Sequence, residues 1–361
     1  MGNTKGKEHR SDFDLIRIVA ILFVIFNHTG AWGYLHFTTH FDTDAMRFVS
    51  GAYMPEMVLS LLCKTAVPLF FMISGSLLLG KEETIGTILK RRMSRIAAVL
   101  FLISLYYFFV FKRCETEDWT GFFRILYSDS MISPLWFLYS YMAYLLMLPL
   151  MRSSVKGMEK KHYRYLLWII VFFQGVLPTF QDLVWHGSLV LNASLSFSSL
   201  MAYGILYPVL GYGLTKYPPA KKETGILIAA AVVSVVPSVI LAERNIVQTG
   251  NVEEGAFYWY FEYFRQIQTV GIFTGIGALV DHVPVFKKPG VKKCLKWVGG
   301  CVFGIYLFEQ SVHFWITPVY PVLDAHMPSI VACGIFVFLI FAGSLCLVSV
   351  LRCIPGIKTL L

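Results

Sequence analysis

Ten apolar runs follow one another along the chain, at roughly 13–34, 58–80, 96–114, 131–151, 165–181, 194–214, 224–241, 259–281, 297–316 and 328–350. A membrane helix needs about 20 mostly apolar residues, and the runs are close to that length. They lack the alternation of polar and apolar positions that marks a lipid-facing barrel strand. The pattern predicts an all-α, polytopic integral membrane protein of about ten transmembrane helices. The fifth run is short and is expected to be tilted or broken. Nothing marks a second domain, so residues 1–361 are read as one membrane domain with tails at 1–12 and 351–361. No internal repeat of the kind many secondary transporters carry is visible.

Composition sharpens this. Hydrophobic residues make up 56% of the chain and charged residues 15%, against roughly 25% charged in an average soluble domain. That balance excludes a disordered chain, a nucleic-acid-binding domain and an ordinary soluble enzyme. With the N-terminus in the cytoplasm, 23 of the 31 Lys and Arg residues fall in cytoplasmic segments and five outside; Arg17, Lys64 and Arg265 lie within spans. The positive-inside rule then predicts both termini in the cytoplasm and a protein integral to the cell membrane. The net charge of +9 is a topology signal and implies no nucleic-acid partner. The first run is too long and too polar for a cleavable signal peptide. The seven cysteines show no CxxC and no Cys/His metal spacing. They are read as free, small apolar residues, and no metal is expected. Asn192-Ala193-Ser194 forms a sequon outside.

Two motif matches carry no chemistry. Gly75 to Lys81 imitates the start of a P-loop, but Glu82 follows where Ser or Thr is needed, and the segment ends a span. Gly271-x-x-x-Gly275 and Gly300-x-x-x-Gly304 are read as close helix packing.

Ionisable residues inside spans are costly, so they are functional candidates by default. In the first run Arg17 and His28 are eleven residues apart, three helical turns, which puts them on one face about 16.5 Å apart along the axis. Asp14 stands three residues before Arg17 and is placed to support it at the inner interface. Counting depth along straight helices puts His28, Lys64, Arg265 and Glu309 at one level in the outer third, with Glu262 one turn shallower. Two readings remain open: a polar cavity open to the outside, or a structural ion-pair network. In the inner loop, Arg92 and Arg95 are three apart, beside Arg91. Such a pair suits phosphate oxygens, and equally an ordinary positive-inside anchor.

These residues resemble those of the acyltransferase family 3 membrane proteins, which O-acylate cell-surface glycans. Asp14-x-x-Arg17, ten residues and His28 look like that family's first span. Ala66-Val67-Pro68-Leu69-Phe70-Phe71-Met72-Ile73-Ser74-Gly75 is similar to its second. Arg91-Arg92-x-x-Arg95-Ile96 looks like its basic loop, and Trp136-Phe137-Leu138 and Gly304-Ile305-Tyr306-Leu307 resemble later segments. Pro68 and Glu309 depart from common forms. The Pro68 form, with Lys64 upstream, is similar to the branch holding enterobacterial-antigen acetyltransferases and the membrane half of vancomycin-resistance serine racemases.

The resemblance implies an O-acetyltransferase with no permanently bound cofactor. Its co-substrate would be cytoplasmic acyl-CoA, expected to be acetyl-CoA, and its acceptor an extracytoplasmic glycan or lipid-linked sugar. Arg17, Arg91, Arg92 and Arg95 are the expected donor-binding residues. His28 would be general base or transient acyl carrier, with Glu309 orienting it. Lys64, Glu262 and Arg265 are expected at the acceptor or oxyanion site. The alternatives are an exporter of a glycan or lipid-linked sugar and a membrane sensor module.

Overall fold

A computed structural model describes residues 9–111, 113–185 and 204–360. Lys5, Lys7, Lys112, the sequon at Asn192 and the start of the sixth run lie outside the described residues. The only strands among the described residues are a two-residue antiparallel pair, Phe41–Asp42 with Arg47–Phe48. Everything else that is regular is helical, as an apolar chain in a bilayer must be to satisfy its own backbone.

Six helical segments are long and apolar enough to cross a membrane: Tyr53–Leu78, Ile85–Val110, Ser133–Lys156, Lys160–Val184, Lys221–Thr249 and Ser329–Leu351. Three further runs are helical but fall short, each for a visible reason. The first gives α1 (Ser11–Asn27), 17 residues long, and then breaks into 3-10 turns. The ninth lies within the long Pro289–Ile316 helix, where Glu309, Gln310 and His313 dilute the apolar content. The eighth is not one straight helix. It divides into Glu254–Glu262 and Arg265–His282, because Phe264 adopts a left-handed φ of 54°. The fifth run carries a π-helical turn at Phe172–Val176. The two irregularities meet: a Cβ on Gly175 would stand 2.5 Å from the Phe264 ring, so the glycine opens the niche that the displaced aromatic fills.

Helix α1 is the centre of the bundle. It packs against α3 (Ala66–Leu78), Pro289–Ile316, Arg265–His282 and Ser329–Leu351. Phe13, Ile16, Ala20, Ile21, Val24 and Ile25 are its buried stripe, at helical spacing. Helix α2 (Tyr53–Cys63) runs almost directly into α3, through one tightened turn at Lys64–Thr65. Pro68 sits in the first turn of α3, where its missing N–H leaves no intrahelical bond unmade. Helix α3 lies flat against Leu206–Lys216 through a reciprocal pair of glycines. A Cβ on Gly75 would meet Pro208 O at 2.0 Å, and one on Gly211 would meet Met72 O at 2.1 Å. Both GxxxG patterns do pack closely, Gly271 on Ala231 and Gly304 on Val348. All seven cysteines are free.

Candidate active site

A single cavity of about 880 Å³ runs beside α1, within the size range of small-molecule and cofactor sites. Arg17 and His28 both line it, His28 at the C-cap of α1 and Arg17 about three turns earlier.

At the Arg17 end the wall is basic. Arg17, Lys81, Arg92 and Arg95 line the cavity there. Asp14 is buried and accepts from Arg17 Nη1 at 3.1 Å; it also meets His9. The approach is possible because a Cβ on Gly299 would fall 2.8 Å from Asp14. Arg92 grips Glu83 with two donors, Nε at 3.1 Å and Nη2 at 2.6 Å. Arg152 donates to the same carboxylate at 2.9 Å and to the carbonyl of Leu78 at 3.0 Å. These bonds from Arg92 and then Arg152 pull the Glu83 carboxyl down to about 2. Arg95 donates to the carbonyl of Leu360 at 3.0 Å. Five cations here face two carboxylates, so the mouth stays positive and favours an anion. Arg91 is exposed and does not line the cavity. The π-helical turn over Ile88–Met93 shifts the helical register just ahead of Arg95.

The middle of the cavity is apolar and aromatic, walled by Phe70, Phe137, Phe303 and Tyr306. The Tyr306 hydroxyl is occupied, donating to Pro134 O at 2.7 Å.

At the far end His28 forms the C-cap of α1. Its Nδ1 lies 2.8 Å from Glu309 Oε1, and Glu309 is fully buried. Gln310 Nε2 donates to the same oxygen at 3.0 Å. With a carboxylate, which can only accept, the contact is a donation from Nδ1–H, and Nε2 is then the ring atom left for another partner. Asn27 Nδ2 donates to Cys63 O at 2.8 Å, tying the end of α1 to the end of α2. Lys64 Nζ bonds Glu254 Oε1 at 2.9 Å and stands 4.0 Å over the Tyr34 ring and 4.8 Å over Tyr258. All of Asn27, Tyr34, Lys64, Glu254 and Tyr258 line the cavity.

The cavity also overlaps the family resemblance, since Trp136, Phe137 and Leu138 line it. An acyltransferase domain model matches residues 10–349, nearly the whole chain. The chain belongs to acyltransferase family 3. No curated protein and no solved structure matches it. For this membrane acyltransferase the expected site residues divide as follows. His28 and Glu309 are joined, and Arg17, Arg92 and Arg95 share the cavity that His28 lines, with Glu309 buried behind it. Glu262 and Arg265 bind each other and do not line it; the depth count assumed a straight helix, and the break at Phe264 removes that basis. Lys64 is paired with Glu254, which the sequence reading passed over as a loop residue just before its span.

Three further residues escaped the sequence. Arg152 was counted only as a positive-inside cation. His36 and His40, four apart in the segment that follows α1, converge with Glu56 on one point.

Proposed function

We propose that the protein moves an acyl group, taken to be acetyl, from cytoplasmic acyl-CoA to a hydroxyl of an extracytoplasmic glycan or lipid-linked sugar. The observation that carries this reading is the cavity: one space is lined at one end by Arg17, Arg92 and Arg95 and at the other by His28. The arginines would hold the donor's phosphates. The pantetheine arm would lie along the aromatic middle, bringing the thioester to His28. His28 Nε2 takes the proton from the acceptor hydroxyl, whose oxygen attacks the thioester carbonyl. The carbon–sulfur bond then breaks, and the proton passes to the leaving thiolate. Glu309 orients the ring and stabilises the imidazolium, as the carboxylate does in hydrolytic triads. In the variant in which His28 is itself acylated, Nε2 is the attacking atom. Lys64, in its box of Tyr34, Tyr258 and Glu254, would face the acceptor or the developing oxyanion. Glu262 and Arg265, lying off the cavity, have no part in this scheme.

The test is transfer of label from radioactive acetyl-CoA in inside-out vesicles, with envelope glycan as acceptor. Wild type is expected to label protein or glycan, and His28→Ala neither. Full transfer by His28→Ala would overturn the scheme. Absence of transfer and of CoA binding in wild type would turn the cavity into a transport pathway.

A further inference from the structure

Away from the cavity mouth, the 3-10 segment His36–His40 lies against α2. His36 Nδ1 is 2.9 Å from Glu56 Oε2, and His40 Nε2 is 3.3 Å from the same oxygen. One ligand atom from each residue lies within 4.8 Å of the other two. The two rings pack edge to face at 5.3 Å. Glu56 is 5% exposed, and among the described residues no Lys or Arg pairs with it. A buried carboxylate without a cation is costly, so two neutral imidazoles are an incomplete set of partners.

Either a proton or a metal ion could complete it, and the geometry separates them. The proton account fits His36, whose contact has hydrogen-bond geometry. It fails at His40: Nε2 is buried and makes no hydrogen bond, despite standing 3.3 Å from the carboxylate oxygen. An ion held between the three atoms needs no donor angle. Tetrahedral zinc with bonds of about 2.0–2.2 Å sets its ligand atoms about 3.3–3.5 Å apart. The His40 separation already has that value, and the His36 separation needs to open by about half an ångström.

We propose that His36, His40 and Glu56 form a site for a divalent transition metal, with Zn2+ as the best match to two imidazoles and a carboxylate. Three protein ligands leave the fourth position for water. The site has a structural consequence for the cavity. His36 lies two residues after Tyr34, and Glu56 lies on the helix that ends at Lys64. Ser60, one turn beyond Glu56, donates to Tyr34 O at 2.6 Å. The ion would lock the Tyr34 loop to α2 and so hold Tyr34 under Lys64. His36, His40 and Glu56 are positioning residues in this sense and touch no substrate.

The experiment uses full-length protein in detergent, purified without a polyhistidine tag. It is dialysed against Zn2+ and assayed for bound metal, and separately titrated with Co2+. The expected result is one Zn2+ per chain and an intense tetrahedral cobalt absorption. Both should weaken at least tenfold in His36→Ala/His40→Ala and in Glu56→Gln. Wild-type protein that retains no more zinc than the double variant would overturn the proposal. Should the variants fail to fold, the cobalt titration of wild type decides alone: the absence of a tetrahedral band overturns it. The metal count does not depend on acyl transfer, so this proposal and the proposed activity fail separately.

Discussion

Replacing Glu309 with glutamine probes the link between the carboxylate and His28 with little change of shape. The wild-type contact is 2.8 Å long and its carboxylate is fully buried. A charge-assisted bond contributes about 1.5–3 kcal/mol, which is roughly 10- to 150-fold in rate at 1.36 kcal/mol per decade. A second effect adds to it. The new amide NH2 can donate to Nδ1, which moves the ring proton to Nε2 and removes the base from the cavity. In hydrolytic triads the comparable Asp→Asn change costs about 10⁴ in kcat. The expected loss for Glu309→Gln is therefore between about 10² and 10⁴ in kcat. The KM for acetyl-CoA should hold, since the basic mouth lies about 16.5 Å away along α1. The assay is steady-state transfer of labelled acetyl groups in vesicles, with correct folding checked by thermal melting. A kcat within twofold of wild type, or a loss confined to the donor KM, would refute the reasoning.

Lys64→Met should impair turnover on the acceptor while leaving CoA binding unchanged, which donor titration at saturating acceptor would read out. Gly211→Ala drives a Cβ against the Met72 carbonyl, a backbone atom that cannot step aside. It should cost about 1–3 kcal/mol or more, seen as a lowered melting temperature. Glu83 is stabilised in its ionised form, with its carboxyl drawn from 4.5 down to about 2. A depressed carboxyl stabilises the fold fully above its ordinary value and loses that contribution as pH falls toward the lowered one. Melting curves should therefore separate wild type from Glu83→Gln near neutrality and converge below about pH 4.5, while a constant gap down to the lowest pH would contradict the ion-pair account.

The helical class and the first-span stripe were legible in the sequence because both follow from periodicity within one element. Arg17 and His28 lie on one helix, and 3.6 residues per turn relates them. The pairing of His28 with Glu309 crosses 281 positions; depth counting set the two at one level, and no local pattern could say that they touch. The partner of Lys64 was missed because depth counting presumes unbroken helices. A single left-handed residue, Phe264, divides the eighth run, whose first helix begins earlier than the apolar pattern, at Glu254, and it is Glu254 that meets Lys64 while Glu262 pairs with Arg265. Conformations of that kind depend on tertiary niches, here the one opened by Gly175, and leave little local trace. Arg152 was hidden for another reason: an arginine close to the end of an apolar run reads first as a topology signal.

The long cavity beside α1 also raises a question of insulation. A passage lined by basic side chains at one end and by His28 at the other would be a leak for any bilayer that holds an ion gradient, unless the lining opposes it. The lining supplies two barriers of different kinds. Its middle is walled largely by aromatic side chains, and apolar constrictions of that kind close by dewetting. Arg17, Lys81, Arg92 and Arg95 leave a positive excess at one end, whereas Lys64 at the other is balanced by Glu254, and fixed positive charge opposes the entry of cations. The positive excess that favours an anion at this mouth thus also opposes a cation leak.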